Sequence, residues 1–201
     1  MAGFWNDATL ETGIEPKRKF RWLFAAANFG GDETWTAKSV TKPSWNVSTH
    51  PHKFINHTFH YPGRVEWQPV EVTLVDVATP MDASANLLGA LRQGGYNWPE
   101  TQAAGSQTIT KAGATSALGR VTITQIGSDS NDILDQWVLT NPFITDVKLG
   151  DLDYEGDDLV EVSFTIIYDY AYMTHAGSSP DGWAGGNTLL EAPGGEGKDM
   201  G

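Results

Sequence analysis

Two stretches of the chain alternate apolar and polar side chains with the period of a β-strand. In residues 159–172 the even positions from 160 to 170 are apolar and most odd positions are polar, and residues 70–77 alternate in the same way. Successive side chains of a strand point to opposite faces of a sheet, so each run predicts a strand with one face in a core. We expect the two strands to pair in a mainly antiparallel β-protein.

Other β-rich runs, bounded by Gly, Pro, Asn and Asp, predict further strands. The predicted strands are residues 19–28, 33–41, 44–50, 66–77, 119–126, 135–140 with a continuation over 143–149, and 159–172. The turn sequence Phe29-Gly30-Gly31-Asp32 predicts that the first two of them form a hairpin. Pro69 indicates a bulge, or a position whose amide no neighbouring strand needs.

A single helix is predicted over residues 83–93. Asp82 is a suitable N-cap, and Gly94-Gly95 is a suitable end. Three leucines fall on one face of this helix, which we expect to lie across a sheet: Leu87, Leu88 and Leu91.

The pattern divides the chain into one β-domain, residues 19–173, between two weakly patterned ends. Residues 1–18 predict a loosely held arm, and the glycine-rich residues 174–201 predict a tail that is disordered or ordered by a partner. Residues 101–113 predict a loop or mobile insertion, because they are mostly Ala, Gly, Ser and Thr without a hydrophobic pattern. The long aromatic segment 48–64 predicts a loop that is ordered by a neighbouring subunit.

The chain is strongly acidic. Its 13 Lys and Arg stand against 25 Asp and Glu, a formal net charge of -12, which disfavours binding to nucleic-acid phosphates. The one dense basic group, Lys17-Arg18-Lys19 with Arg21, is interpreted as a solvated strand entry. There is no cysteine, so disulfides are excluded. With no signal-peptide pattern and no apolar run of membrane-spanning length, we expect a protein made in a cytoplasm, without a membrane partner.

Four histidines lie within eleven residues: His50, His52, His57 and His60. Histidines two apart on a strand share a face, as a metal site requires. However, Pro51 and Lys53 interrupt the run and no acidic ligand lies inside it, so a packed or hydrogen-bonded extended loop is favoured over a metal site.

Residues 151–156 resemble the first half of a calcium-binding loop, with carboxylates at alternate positions and glycine in sixth place. The second half fails, since Val162 occupies the twelfth position and the flanks predict strands. We therefore expect an acidic turn between strands and no metal or other cofactor.

No catalytic motif is present, and the protein is predicted not to be an enzyme. The chain has no G-x-S-x-G elbow, no phosphate-binding glycine loop and no H-E-x-x-H helix. The tryptophans within predicted strands favour core packing over a sugar-binding surface: Trp22, Trp35, Trp67 and Trp137. A carbohydrate-binding β-sandwich and, behind it, a metal-dependent enzyme stay as alternatives from other classes.

The order and spacing of the predicted elements resemble the tail tube proteins of contractile-tailed, T4-like bacteriophages and, more loosely, the tubes of contractile injection systems. The resemblance covers roughly residues 18–173. It rests on residues 20–24, 35–43, the aromatic segment up to Arg64, 70–76 followed by the helix, and 160–170.

This resemblance implies an antiparallel β-sandwich or barrel with one flanking helix. It also implies that six copies close into a ring, and that rings stack into a hollow tube through which DNA is delivered into the host without specific binding. The implied partners are other copies of the chain and the sheath, baseplate and tape-measure proteins, and the implied location is the virion tail after assembly in the host cytoplasm. A related ring at the tube end, such as a baseplate component or terminator, is the alternative.

Two sets of residues are predicted to carry this function. The polar sides of the alternating strands are expected to line the lumen: Glu71, Thr73, Glu161, Ser163, Thr165 and Asp169. The aromatic segment is expected to contact a neighbouring subunit or ring: His50, His52, Phe54, His57, Phe59, Tyr61 and Arg64.

Overall fold

The computed structural model describes residues 17–28, 36–78, 82–100, 108–127 and 133–175. Ten strands and two helices lie in these ranges: β1 (Trp22–Ala26), β2 (Ala37–Val40), β3 (Ser44–Phe54), β4 (His57–Gln68), β5 (Val70–Val75), α1 (Ala83–Gln93), α2 (Lys111–Leu118), β6 (Val121–Ile126), β7 (Ile133–Thr140), β8 (Phe143–Lys148), β9 (Glu161–Ile167) and β10 (Tyr170–His175). The predicted mainly antiparallel β-fold is confirmed. The predicted turn 29–32 and most of the two predicted ends fall outside the described residues.

The strands form two four-stranded sheets and one separate hairpin. Sheet I has the order β1-β6-β7-β10, and sheet II has the order β2-β5-β9-β8. Among the described residues, strands β3 and β4 pair with each other and with no third strand. Every strand pairing is antiparallel.

The predicted pairing of the two alternating runs is confirmed in sheet II. Strands β5 and β9 are antiparallel neighbours, with Val72 opposite Phe164 and Leu74 opposite Val162. All of these side chains are at most 2% exposed. Each such side chain stabilises the fold by about 1.5–3 kcal/mol through removal of its apolar surface from water, so this pair is the centre of the core.

The predicted hairpin between the first two strands is wrong. Strand β1 pairs with β6 in sheet I, and β2 pairs with β5 in sheet II. Turn residues indicate where the chain reverses, but they do not indicate which layer the next strand enters. Both strands contribute to the same core: Phe24 of β1 is fully buried, and Val40 of β2 is partly buried and packs against the core.

Two other predicted strands are also each divided between the sheets. Residues 135–149 form β7 in sheet I and β8 in sheet II, with a corner at Asn141, whose φ is 52°. Residues 159–172 form β9 in sheet II and the first part of β10 in sheet I. The apolar pattern of the sequence does not mark the second corner. The buried positions change there from even residues, ending at Tyr168, to Ala171, while Tyr170 is 38% exposed.

The helix prediction is confirmed at α1 and incomplete elsewhere. The Asp82 carboxylate accepts the amide of Ala85 as the N-cap. Of the three leucines on its predicted core face, only Leu87 is buried, while Leu88 and Leu91 are about 40% exposed. No helix among the described residues is long and apolar enough to cross a bilayer.

The second helix, α2, was not predicted, and it overlaps the predicted loop 101–113 at residues 111–113. Its N-cap is Thr110, whose hydroxyl accepts the amide of Gly113, and its C-cap is Gly119 with a φ of 67°. The helix is short and rich in small residues, so its sequence has little helical periodicity. Burial of Ala117 and Leu118 holds it in place.

A buried carboxylate lies beside the N-terminal basic group. Asp135 is 3% exposed and accepts hydrogen bonds from Lys17, while Lys42 lies 3.6 Å away and donates to Gln125. Lys17 is therefore half-buried and ion-paired rather than only a solvated strand entry.

Candidate assembly surfaces

Five of the six predicted lumen residues share the outer face of sheet II. This face is opposite the core, and the pairing places Glu71 beside Thr165 and Thr73 beside Ser163. The shared set is Glu71, Thr73, Glu161, Ser163 and Thr165. The structure thus gathers these side chains into one polar surface, which is called the sheet II outer face below.

Basic side chains that the sequence analysis missed also lie on the sheet II outer face. Lys38 donates to the Glu161 carboxylate, and Lys148 lies opposite Ser163. Asp146 lies opposite Thr165 and adds an acidic group. The face therefore carries charges of both signs, and its field is weaker than that of the carboxylates alone. The alternation along residues 33–41 was the sequence signal that could have placed Lys38 on this face.

The sixth predicted lumen residue, Asp169, is not part of that face. It follows the end of β9, where its carboxylate accepts two hydrogen bonds from Lys111, both of 2.7 Å, and one from Asn141 of 2.8 Å. The hydrogen bonds from Lys111 and then Asn141 hold the pKa of Asp169 below its usual value. The prediction from alternation was wrong for this residue, because the strand β9 ends at Ile167. Asp169 instead ties α2 to two strand corners.

The predicted loop over residues 48–64 is instead most of a long hairpin. Strands β3 and β4 have 11 and 12 residues and pair along their whole length. At about 3.3 Å per residue the hairpin is roughly 36 Å long. It turns at Ile55 and Asn56, where Ile55 has a φ of 52°. Nearly all of its side chains are exposed, so neither face contributes to the core beyond Trp67 at the base.

Six of the seven predicted contact residues share one face of this hairpin. The cross-strand pairs on it are His50 with Tyr61, His52 with Phe59, and Phe54 with His57. The ring centroids of His57 and Phe59 are 4.7 Å apart, and those of His52 and Tyr61 are 6.5 Å apart. We call these six residues the aromatic face. Phe54 and Tyr61 are about 60% exposed, which is unusual for rings on one surface of a protein.

The seventh predicted contact residue, Arg64, lies at a bulge opposite Ser48. The register shifts between Val47 and Thr49, and the Arg64 amide donates to the Ser48 hydroxyl at 2.9 Å. Glycine fits best at position 63, because a Cβ there would clash with that hydroxyl oxygen and lie 3.0 Å from the Ser48 carbonyl oxygen. The bulge moves the apolar side chains to the other face at the base of the hairpin, where Trp45 and Trp67 pair.

The base of the hairpin is anchored to the sandwich. Trp67 packs against the core, with its ring centroid 5.9 Å from that of Tyr168. The Tyr168 hydroxyl donates to the carbonyl of Gln68 at 2.8 Å, and burial raises the pKa of Tyr168. The hairpin therefore projects from a fixed base while its distal part has no support within the described residues.

The structure gives the candidate metal residues no common site. His60 lies opposite Pro51, whereas His50 and His52 belong to the aromatic face. No group of three or more potential metal ligands occurs within the described ranges. The acidic residues 151–158 are an exposed connection between β8 and β9, as predicted for a turn between strands.

Three of the four tryptophans that were predicted to pack in the core do contact it. Trp22, Trp67 and Trp137 pack against the buried cluster, while Trp35 falls outside the described residues. Trp45 is 55% exposed and contacts the edge of Trp67 with ring centroids 5.4 Å apart. This arrangement does not favour a flat sugar-binding surface.

An apolar groove is a further surface that the sequence analysis missed. It lies between α1, α2 and β8 and has a volume of about 260 Å³. Leu88, Leu91, Ile109, Val147 and Leu149 line it and are each 38–48% exposed. The unexpected helix α2 forms one wall, which is why the sequence pattern did not reveal the groove.

Comparisons with known proteins find similar structures but no similar sequence. No family model matches the chain, and no curated protein sequence matches it. Solved structures do match. A chain of the PVC sheath/tube terminator, from an extracellular contractile injection system in the extended state, has 15% identity and a TM-score of 0.59 over 80% of this chain and 98% of its own.

Two further structures match in the same way. The anti-feeding prophage cap, a tube terminating cap, has 13% identity and a TM-score of 0.60 over 85% of this chain and 99% of its own. The PVC sheath-tube complex in the extended state has 14% identity and a TM-score of 0.55 over 80% of this chain and 92% of its own. The narrower resemblance to T4-like bacteriophages is not carried by these structures and stays a prediction. The chain shares the fold of chains from the tube assemblies of contractile injection systems.

Proposed function

We propose that the protein is a structural subunit of the tube of a contractile tail, with six copies closing into a ring and rings stacking into a hollow tube. The sheet II outer face lines the lumen in this arrangement. The proposed partners are other copies of the chain, the sheath, the baseplate and the tape-measure protein. In the phage form of the proposal the cargo is DNA.

The observation that carries this proposal is the division of sheet II into two unlike faces. One face is the core, and the other gathers five polar residues of β5 and β9 on the side of the sheet that points away from the core. Sheets leave unpaired edges that favour joining to another chain, and closing a sheet around a ring removes those edges. The match in fold to tube terminator chains over nearly their whole length supports the same reading.

The aromatic face has a role in this proposal. A two-stranded hairpin is marginally stable alone, so an exposed distal hairpin is expected to gain its order from a neighbouring subunit or ring. Its six side chains are proposed to form part of that contact.

A single ring at the end of the tube is the second candidate function. Two of the matching structures are a sheath/tube terminator and a tube terminating cap, and this specific likeness favours it over any function outside tails. A terminator forms one ring, whereas a tube subunit polymerises.

Negative-stain electron microscopy of concentrated protein, together with sedimentation velocity, tests the proposal. Tubes of stacked rings support the tube subunit, and discrete rings that do not elongate support the terminator. Protein that stays a monomer at high concentration, with or without a baseplate seed, contradicts both.

A charge variant tests the lumen assignment. Glu71 is exposed on the sheet II outer face, so Glu71→Lys adds positive charge along the proposed lumen of every ring. Assembled variant particles are expected to retain labelled DNA at low salt and release it at high salt. Glu100→Lys makes the same change of charge at an exposed site outside that face. Equal retention of DNA by both variants would place the lumen on another surface.

A further inference from the structure

The tip of the hairpin exposes two large apolar side chains next to each other. Phe54 is 60% exposed and Ile55 is 86% exposed, directly at the turn. Large apolar side chains that project together into water are typical of a contact surface. The tip is convex, so its partner must offer a concave apolar surface.

The charge of the hairpin indicates which charge its partner surface should carry. Residues 44–65 contain Lys53, Arg64 and four histidines but no Asp or Glu, although the chain as a whole has a formal net charge of -12. The partner of the tip is therefore expected to be apolar where it receives Phe54 and Ile55 and acidic at its rim.

The chain itself presents such a surface. The apolar groove between α1, α2 and β8 is open, and its volume of about 260 Å³ suits one or two side chains rather than a small-molecule ligand, whose pockets begin near about 300 Å³. Leu149 lines the groove and also borders the next depression, which contains the carboxylates of Asp151 and Glu161 together with Lys148. From there the chain continues into residues 151–158, an exposed segment with five acidic residues and no basic one.

We propose that the hairpin tip of one copy docks into the apolar groove of a second copy, with Phe54 and Ile55 in the groove and Lys53 facing the acidic rim that begins at Asp151. The inference rests on the proposed self-assembly and names the surface that receives the hairpin. Donor and acceptor are different surfaces, so the contact is heterologous and propagates from copy to copy. Such propagation is what a ring or stacked assembly requires.

Crosslinking tests this contact directly, because the native chain has no cysteine. Protein with Ile55→Cys is mixed with protein carrying Leu91→Cys under assembly conditions and treated with a short bismaleimide. Both sites are exposed, at 86% and 40%, so thermal unfolding of the variants should match the parent. A crosslinked dimer is expected. The matched control replaces Ile55→Cys with Thr49→Cys, an exposed residue of β3 on the side opposite the aromatic face.

A charge exchange supplies the second arm. Lys53→Glu or Asp151→Lys alone should raise the concentration needed for assembly about tenfold, because each places like charges together across the contact. Both changes in one chain should restore assembly.

The outcomes separate the inference from the proposed function. Rings or tubes that give no Ile55–Leu91 crosslink, or no more than the Thr49 control, overturn the inference alone and leave the groove to another occupant, such as residues 176–201. Assembly that the single charge variants leave unchanged also overturns it. Failure of the parent protein to assemble at all overturns the proposed function and this contact with it.

Discussion

Strands β5 and β9 and strands β3 and β4 are both long antiparallel pairs, yet only the first pair belongs to a core. Along β5 and β9 every second side chain is buried, and Val70, Val162 and Ile166 are fully so. Along β3 and β4 both faces are exposed beyond the base at Trp67. The hydrogen bonds of the two pairs are alike, so burial accounts for the difference.

The comparison shows what pairing alone can and cannot do. Net backbone hydrogen bonds stabilise a fold only modestly, because the unfolded chain bonds to water instead. The β5–β9 pair gains its stability from apolar burial, whereas the distal hairpin must gain it from another molecule. Changes in the two regions should therefore affect different properties, namely folding for the core pair and assembly for the hairpin.

The largest expected effect is from removing the distal hairpin. Replacing residues 49–62 by a two-residue turn should abolish ring or tube formation in sedimentation and microscopy. The thermal midpoint of the remaining domain should stay within a few degrees of the parent, because the deleted residues bury nothing in the core. Long tubes from the deletion variant would show that the hairpin is not needed for assembly. A large fall in the thermal midpoint would show that it stabilises the fold.

The next effect is on stability and compares two phenylalanines. Phe164→Ala removes a side chain that is 2% exposed and should lower the free energy of unfolding by about 3–5 kcal/mol, through lost burial and the cavity left behind. Phe54→Ala, at 60% exposed, should change it by less than about 0.5 kcal/mol. Urea unfolding of the two variants measures both values. Similar losses would contradict the division between core and hairpin.

A smaller, local effect is expected at the bulge. In Gly63→Ala the new Cβ clashes with the Ser48 hydroxyl, so the hairpin should lose register while the sandwich keeps its stability. Hydrogen exchange should speed up at amides of β3 and β4 and stay unchanged in β5 and β9. Adding Ser48→Ala removes the atom that clashes and should restore part of the protection. If Ser48→Ala restores no protection from exchange, the clash with the Ser48 hydroxyl is not the cause of the effect.

The smallest effect concerns Asp169 and pH. Because Lys111 and Asn141 lower its pKa in the folded protein, the unfolded chain binds the proton more tightly. The stabilisation is therefore complete above the unfolded pKa of about 3.9 and is lost as the pH falls through the lower folded value. The side chain is 39% exposed, so solvent screening limits the effect to under about 1 kcal/mol.

Thermal unfolding of Asp169→Asn between pH 2 and 7 measures this contribution. The variant should be slightly less stable than the parent at neutral pH and should approach it at low pH. A constant difference across the range would mean that the ion pair is not its source. Lys111→Met, which removes the main partner, should give the same pH profile.

Some parts of the fold could be predicted because they depend on neighbours in sequence. The β5–β9 pairing followed from alternation, and the start and end of α1 followed from Asp82 and the Gly94-Gly95 pair. At Pro69 the sequence predicted a bulge or an unneeded amide within one strand over residues 66–77, whereas in the structure β4 ends at Gln68 and β5 begins at Val70 in another sheet. Five polar residues of the sheet II outer face were assigned together correctly, because a regular strand preserves the side on which each residue lies.

Other parts could not be predicted because they depend on which layer each strand joins. Alternation has the same period in either sheet. It therefore did not reveal that the chain passes from one sheet to the other after β1, β7 and β9, or that Asp169 lies beyond the end of β9. Helix α2 has small residues that form a helix only because Ala117 and Leu118 find a buried place, and the apolar groove exists only once that helix is packed.

The sequence by itself determined the class of fold, the core strands and the polar character of the sheet II outer face, because these follow from periodicity and from propensities within a few residues. Only the tertiary structure decided the division into two sheets, the hairpin in place of a loop, the pairing of Lys38 with Glu161 and the groove beside α2. These features depend on contacts between residues far apart in the chain, and a pattern of local period carries no information about which distant segments meet.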